Sequence, residues 1–168
     1  IAREVIKDIG YEQETFHWNK VNIDVNLHAQ SPDISRGVDA INKNEEGAGD
    51  QGIMFGYATN ETNDFMPMPL QLSHQLLRNI RKLRLNGTLS GLGPDAKSQF
   101  SLIYENNQPV DIHSAVLSIQ HIPSLSNKDI KNAVLPLINE VIPKGWNLDD
   151  DKIFINPTGR FEVGGPHG

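Results

Sequence analysis

The feature that most restricts this sequence is a glycine-rich run with an apolar stretch directly after it. The run is Gly47-Ala48-Gly49-Asp50-Gln51-Gly52, and the apolar stretch covers residues 53–58. Glycine lets a backbone approach a ligand closely, and Asp50 is the one charged side chain in the run. The sequence therefore predicts a loop that presents a single carboxylate, with a strand after it.

The same run has the G-x-G-x-x-G spacing of a dinucleotide-binding loop. That fold needs a buried strand before the first glycine and a helix after the last one. Residues 42–46 are instead polar and charged, and residues 53–58 have the apolar, aromatic character of a strand. Because a pyrophosphate would find no helix N-terminus here, the run indicates a different kind of loop.

The first half of the chain is predicted to contain two strands and one long helix. Apolar and polar residues alternate over 21–27, which is the period of a half-buried strand, and residues 53–58 supply a second strand. Between them, residues 28–46 are polar and are typical of a mobile surface loop. Leucine and isoleucine at helical spacing predict a helix that begins at Pro67–Pro69 and ends at Asn86-Gly87.

The second half is predicted to contain a hairpin, a helix and a last strand. Residues 98–104 and 110–120 are apolar and β-branched, and the turn formers between them favour an antiparallel hairpin. Ser126 and Asp129 have the spacing of a capping box, which starts a helix that continues to Val141. Proline kinks or interrupts a helix, so we expect one or the other at Pro136. Residues 152–155 supply a short strand.

These elements occur in the order β-α-β-β-α-β. The order is typical of an α+β fold in which two helices pack on one face of an antiparallel or mixed sheet.

Composition excludes several functions. A formal net charge of −6 disfavours nucleic-acid binding, and the one basic cluster, on the long helix, is either a solvated face or a contact for an acidic partner. There are no cysteines, so disulfides and thiolate chemistry are excluded. No apolar run is long enough to span a membrane, and we expect a cytoplasmic protein. The six histidines show no metal-ligand spacing, so no complete metal site is expected within this chain.

Three separate motifs resemble those of one enzyme family. They are the glycine run with residues 53–62, the segment Pro94–Gln99, and Asn156–Phe161 followed by Gly164-Gly165-Pro166. In this order they resemble S-adenosylmethionine synthetase, also called methionine adenosyltransferase. Family enzymes consist of three similar domains with sheets and helices, so the resemblance and the periodicity predict the same fold class.

The resemblance also implies how the chain is divided. Residues 1–29 would be the C-terminal tail of the first domain, residues 30–48 a gating loop, residues 49–164 the central domain, and residues 165–168 the start of a linker. The chain would then be an internal piece of the enzyme, and we expect the isolated piece to be inactive.

In the family, the sulfur of methionine attacks the ribose C5′ of ATP and displaces triphosphate, which is cleaved to phosphate and pyrophosphate. By resemblance, Gln30 and Asp50 contact methionine. Asp95, Ala96 and Lys97 contact ATP, with Lys97 as the catalytic charge near the reaction centre. The adenosine part of ATP would be bound by Arg160 and Phe161, whose ring would stack on adenine.

The loop implied to gate the site begins at Gln30 and continues through Ser31, Pro32, Asp33, Ile34, Ser35, Arg36, Gly37, Val38, Asp39 and Ala40. A plain linker is the competing interpretation. The family also implies Mg²⁺ and K⁺, held mostly by residues outside this chain, and a homodimer or a dimer of dimers.

Two other interpretations stay open at this point. One is a non-catalytic nucleotide-binding or assembly module that keeps the fold and the adenine contact. The other is an α+β interaction domain whose motifs match by coincidence.

Overall fold

The computed structural model describes residues 1–39, 47 and 51–168. The chain divides into two compact units: one consists of Ile1–Val21 and Ala58–Gly168, the other of Asn22–Tyr57. The domain boundaries given above stay predictions.

The first unit has an α+β fold around a three-stranded mixed sheet in the order β1-β2-β3. Its strands are β1 (Leu92–Glu105), β2 (Gln108–His121) and β3 (Ile153–Ile155), and its helices are α1 (Ala2–Ile9), α3 (Met68–Leu85) and α4 (Asn127–Val141). The pairing of β1 with β2 is antiparallel and that of β2 with β3 is parallel. The predicted fold class is confirmed. The second unit contains α2 (Pro32–Val38).

Local signals account for most of these elements. The predicted long helix is α3, and Gly87 after it has a φ of +83°. Asn106 and Asn107 join β1 to β2 and have φ values of +50° and +61°. Two positive φ values in a two-residue loop match the right-handed twist of the strands, so this tight turn favours the hairpin. The capping box of Ser126 and Asp129 begins α4 as predicted.

One hydrophobic core lies between the sheet and the two long helices. Ser98 Oγ donates a hydrogen bond to the Ser73 carbonyl of α3, which identifies the sheet face that the helices cover. Both α3 and α4 bury side chains against that face, as predicted. The core residues with an exposed fraction of 1% or less are Leu76, Leu117, Ile119, Ile130, Val134 and Ile138.

Three details of the prediction are wrong. Residues 21–27 and 53–58 form no strands, and all their side chains except the half-buried Val21 are exposed: Val25 is 71% and Phe55 94% accessible. Alternation alone does not make a strand, since the backbone also needs a hydrogen-bonding partner. Within the predicted surface loop, Pro32–Val38 is helical. At Pro136, where a kink or an interruption was expected, α4 is not interrupted, and Val134, Leu137 and Ile138 on either side of the proline are buried.

Candidate functional site

Two of the predicted ATP-contacting segments lie side by side in the first unit. The Lys97 ammonium is 5.5 Å from the centroid of the Phe161 ring. At that distance the ring quadrupole attracts the cation. Lys97 pairs with Ser118 in the β1–β2 register, one residue out of phase with Ser98, so it lies on the sheet face that α3 and α4 do not cover. The fold therefore brings together a cation and an aromatic ring that are 64 residues apart in the sequence.

Asp95 and Ala96 are placed differently from Lys97. One Asp95 carboxylate oxygen accepts a hydrogen bond of 2.8 Å from the Gly165 N–H, so this side chain anchors the glycine-rich end of the chain. A Cβ on Gly164 would lie 2.7 Å from the Asp95 Cβ, which is why the segment needs glycine there. The Ala96 side chain packs against the hydrophobic core. Any contact that Ala96 makes with a nucleotide would therefore use its main chain.

Asp95 also affects a neighbouring tyrosine. The pKa of Tyr11 is raised, first by burial and second by the negative charge of Asp95, while Arg84 acts in the opposite direction. The Tyr11 ring lies against Gly165, where an added Cβ would be 2.8 Å from a ring carbon. Tyr11, from the N-terminal part of the chain, thus lies beside both Asp95 and the Gly165 that Asp95 binds.

Arg160 has the exposure expected of a ligand-binding cation. Its side chain is 84% exposed, and its Nη1 atom is 3.5 Å from Oε1 of Glu162. That carboxylate oxygen is buried and makes no hydrogen bond with any residue in the described ranges. Because the guanidinium itself is largely exposed, it is also accessible to an anionic ligand.

Gln120 and His121 are residues that the sequence interpretation missed. Both are buried at the end of β2, with exposed fractions of 5% and 4%. His121 and Glu162 line two adjoining clefts, one of about 490 Å³ and one of about 390 Å³, and Arg160 lines the smaller. The sequence did contain a signal for them. Inward-facing positions of the strand are apolar up to Ile119, but the next inward-facing position is His121, and its outward-facing neighbour Gln120 is polar as well.

The predicted methionine site lies in the second unit as far as it is described. Gln30 is exposed, and residues 30–39 of the predicted gating loop contain α2 with exposed or half-buried side chains. Arg36 and Asp33 form an exposed ion pair of 3.7 Å within this helix. Asp50 and Ala40 lie outside the described residues. The roles of all these residues stay predictions.

Residues 1–39, 47 and 51–168 contain neither a candidate metal site nor a candidate membrane span. Within these ranges, no three histidine, cysteine, aspartate or glutamate side chains are grouped as metal ligands. None of the helices in this part of the chain combines the length and apolarity that crossing a bilayer requires.

A family profile described as "S-adenosylmethionine synthetase, central domain" matches residues 45–161. The chain belongs to the S-adenosylmethionine synthetase family. The matched residues include Asp50 and both segments that form the Lys97–Phe161 contact.

Individual S-adenosylmethionine synthases are similar over the whole chain. The synthase of Ruegeria pomeroyi is 54% identical over 169 residues, that of Rhodospirillum centenum 51% over 168, and that of Paramagnetospirillum magneticum 49% over 168. Each alignment covers all of this chain and 43% of the relative. The chain therefore spans less than half the length of these synthases.

Proposed function

We propose that this chain is the central part of a methionine adenosyltransferase. The reaction would join ATP and L-methionine: a lone pair of the methionine sulfur forms a bond to C5′ of the ribose, and the C5′–oxygen bond breaks. The triphosphate leaves with that electron pair and is hydrolysed to phosphate and pyrophosphate. The product is the sulfonium S-adenosylmethionine.

The observation that carries this proposal is the contact between Lys97 and Phe161. A ring that stacks on adenine and a cation beside it would hold the base and the phosphate end of one nucleotide from the same surface. Arg160, the residue before Phe161 in the sequence, is a second exposed cation. Because a neutral thioether is a weak nucleophile, alignment of the two substrates and stabilisation of the leaving charge account for most of the rate.

The remaining parts of the site are assigned by family resemblance. Gln30 and Asp50 contact methionine, and the carboxylate pairs with the substrate ammonium group. Residues 30–40 close over the site and exclude water. The described residues do not fit a metal site, so we assign the ligands of Mg²⁺ and K⁺ mostly to parts of the relatives that this chain does not match. We further propose a cytoplasmic homodimer or dimer of dimers.

The test uses a chimera in which this chain replaces the matching residues of the Ruegeria pomeroyi synthase. We expect the chimera to form S-adenosylmethionine from ATP and methionine, and we expect the isolated chain to form none. Substitution Lys97→Gln should lower kcat/KM of the chimera about 100-fold, because a positioned charge at the leaving group is lost. Lys144→Gln is the matched control, since Lys144 is an exposed lysine remote from these motifs in sequence.

Three results would count against the proposal. A folded chimera that binds ATP without turnover would favour a non-catalytic module of the same fold. Full activity of the Lys97→Gln chimera would remove Lys97 from the catalytic site. Turnover by the isolated chain would contradict its assignment as an incomplete site.

A further inference from the structure

His121 is a buried imidazole for which the proposed reaction has no use. It is the last residue of β2, and it follows Leu117 and Ile119 on the side of the strand that faces the core. Its exposed fraction is 4%. A polar ring so deeply buried must find hydrogen-bond partners for both nitrogens, or the fold would be destabilised.

Both ring nitrogens have partners, and the partners determine the tautomer. The Phe161 backbone N–H donates to Nε2 over 3.2 Å, so Nε2 must carry a lone pair. The other nitrogen, Nδ1, lies 2.9 Å from the Ile122 carbonyl oxygen, which can only accept. These two contacts together require a neutral ring with its hydrogen on Nδ1.

The same histidine holds Phe161 at a second point. The His121 backbone N–H donates to the Phe161 carbonyl over 2.8 Å, so both main-chain polar groups of Phe161 are bound to one residue. Gln120 extends this attachment, because its Nε2 donates to the Glu162 carbonyl over 3.1 Å. Residues 160–164 belong to no helix or strand, so these bonds replace the ladder that would otherwise fix the segment.

We infer that His121 is a positioning residue that fixes the Phe161 main chain, and through it the ring, beside the Lys97 ammonium. The importance of that ring for nucleotide binding rests on the proposed function. The attachment itself is a property of the fold. His121 acts through Phe161 and touches no reacting atom.

A spectroscopic experiment tests the attachment without reference to activity. The chain is labelled with nitrogen-15, and long-range proton–nitrogen correlation identifies the protonation state of each ring nitrogen of His121. We expect a protonated Nδ1, an unprotonated Nε2, and a scalar coupling between the Phe161 amide nitrogen and Nε2 across the hydrogen bond. A protonated Nε2 at neutral pH would overturn the inference, whatever the chimera does.

Two variants then test the consequence for the nucleotide. In the chimera, His121→Phe keeps a ring of similar shape but removes the acceptor, whereas His121→Gln keeps an acceptor near the position of Nε2. We expect His121→Phe to raise the KM for ATP about tenfold or more and to leave the KM for methionine within about twofold. His121→Gln should recover most of the loss. His113→Phe is the control, because His113 is an exposed histidine on the same strand.

The outcomes separate the two proposals. If the parent chimera makes no S-adenosylmethionine, the proposed function fails and the tautomer measurement still decides the attachment. Equal effects of His121→Phe and His121→Gln, or an equal rise in both KM values, would overturn the positioning role. If His121→Phe does not fold, the His121→Gln variant and the tautomer measurement together test the positioning role. A loss of ATP affinity in a folded His121→Gln variant would then contradict the view that an acceptor near Nε2 is what positions Phe161.

Discussion

Asn156 is a nearly fully buried polar residue that extends the sheet with its side chain. Its amide accepts a hydrogen bond of 2.8 Å from the Ile119 N–H and donates one of 3.2 Å to the Ile119 carbonyl. Its own backbone N–H bonds the Leu117 carbonyl. The side chain therefore replaces the residue that a longer β3 would have provided. The φ of Asn156 is +44°, so the chain leaves the direction of the strand at this residue.

We predict that Asn156→Ala lowers the free energy of unfolding by about 2 to 4 kcal/mol, because both main-chain groups of Ile119 lose their partners while buried. Asn156→Gly should be less damaging by about 1 kcal/mol, since glycine adopts a positive φ without strain. Urea unfolding measures both, with Asn147→Ala as an exposed control. A loss below about 1 kcal/mol in both variants would contradict this role for the amide.

At the scale of elements, the start of α3 depends on a residue outside the helix. The Glu61 carboxylate accepts hydrogen bonds from the Met68 backbone N–H at 2.9 Å and from the Tyr104 hydroxyl at 2.7 Å. It thereby caps the helix N-terminus and connects it to the end of β1. The pKa of Glu61 is lowered, first by the Met68 N–H and also by the Tyr104 and Thr59 hydroxyls, although burial opposes the shift.

We predict that Glu61→Gln destabilises the chain by about 0.5 to 1 kcal/mol at pH 7, the size of the interaction between a partly exposed charge and a helix N-terminus. A lowered pKa in the folded state means that this contribution is present above the ordinary value of 4.5 and is lost as the pH falls through the lowered value. The difference between wild type and variant should therefore shrink in acid. Denaturant unfolding between pH 7 and pH 3 measures it.

The control for this experiment is Glu105→Gln, because Glu105 is exposed at the hairpin end of β1. A difference for Glu61→Gln that stays constant down to pH 3 would show that the charge of Glu61 does not contribute to capping.

At the scale of the first unit, its N-terminal residues are held on the sheet-and-helix part by a few polar contacts. Arg84 donates to the Ile9 carbonyl at the end of α1, and Arg81 forms an ion pair of 2.6 Å with Asp8. Gln13 donates to the Gly164 carbonyl and accepts from Gln120. The basic cluster on α3 consists of Arg78, Arg81, Lys82 and Arg84, and two of these four residues therefore contact the chain's own N-terminal helix.

We predict that Arg84→Met loosens residues 2–9 more than it destabilises the sheet. Arg84 is half-buried, and its pKa is lowered chiefly by burial and then by Arg81. Its partly desolvated charge therefore needs the hydrogen bond to the Ile9 carbonyl. Amide hydrogen exchange of α1 should accelerate about tenfold, the effect of losing one charged hydrogen bond. Exchange in β2 should be unchanged.

Arg78→Met is the matched control on α3, because Arg78 is exposed. Equal acceleration in both variants would mean that the Arg84–Ile9 contact does not hold the N-terminal helix.

Local signals in the sequence were sufficient for α3, the hairpin and α4. Helical spacing, turn residues and a capping box act between neighbours a few positions apart, so each can be recognised without knowing the fold. The motifs likewise identified Lys97 and Phe161 as candidates, one by one. The cap that Glu61 provides was missed, because it depends on a loop that folds back on the helix.

Only the tertiary structure decided which alternating segments became strands and which polar residues support the candidate site. Residues 21–27 and 98–104 both have β character, yet only the second has a strand beside it in the described part of the chain. The 5.5 Å contact between Lys97 and Phe161, and the attachment of Phe161 to His121, join residues 64 and 40 positions apart. Such pairs depend on the order and direction of strands, which hydrogen bonding between distant segments determines and short-range sequence pattern does not.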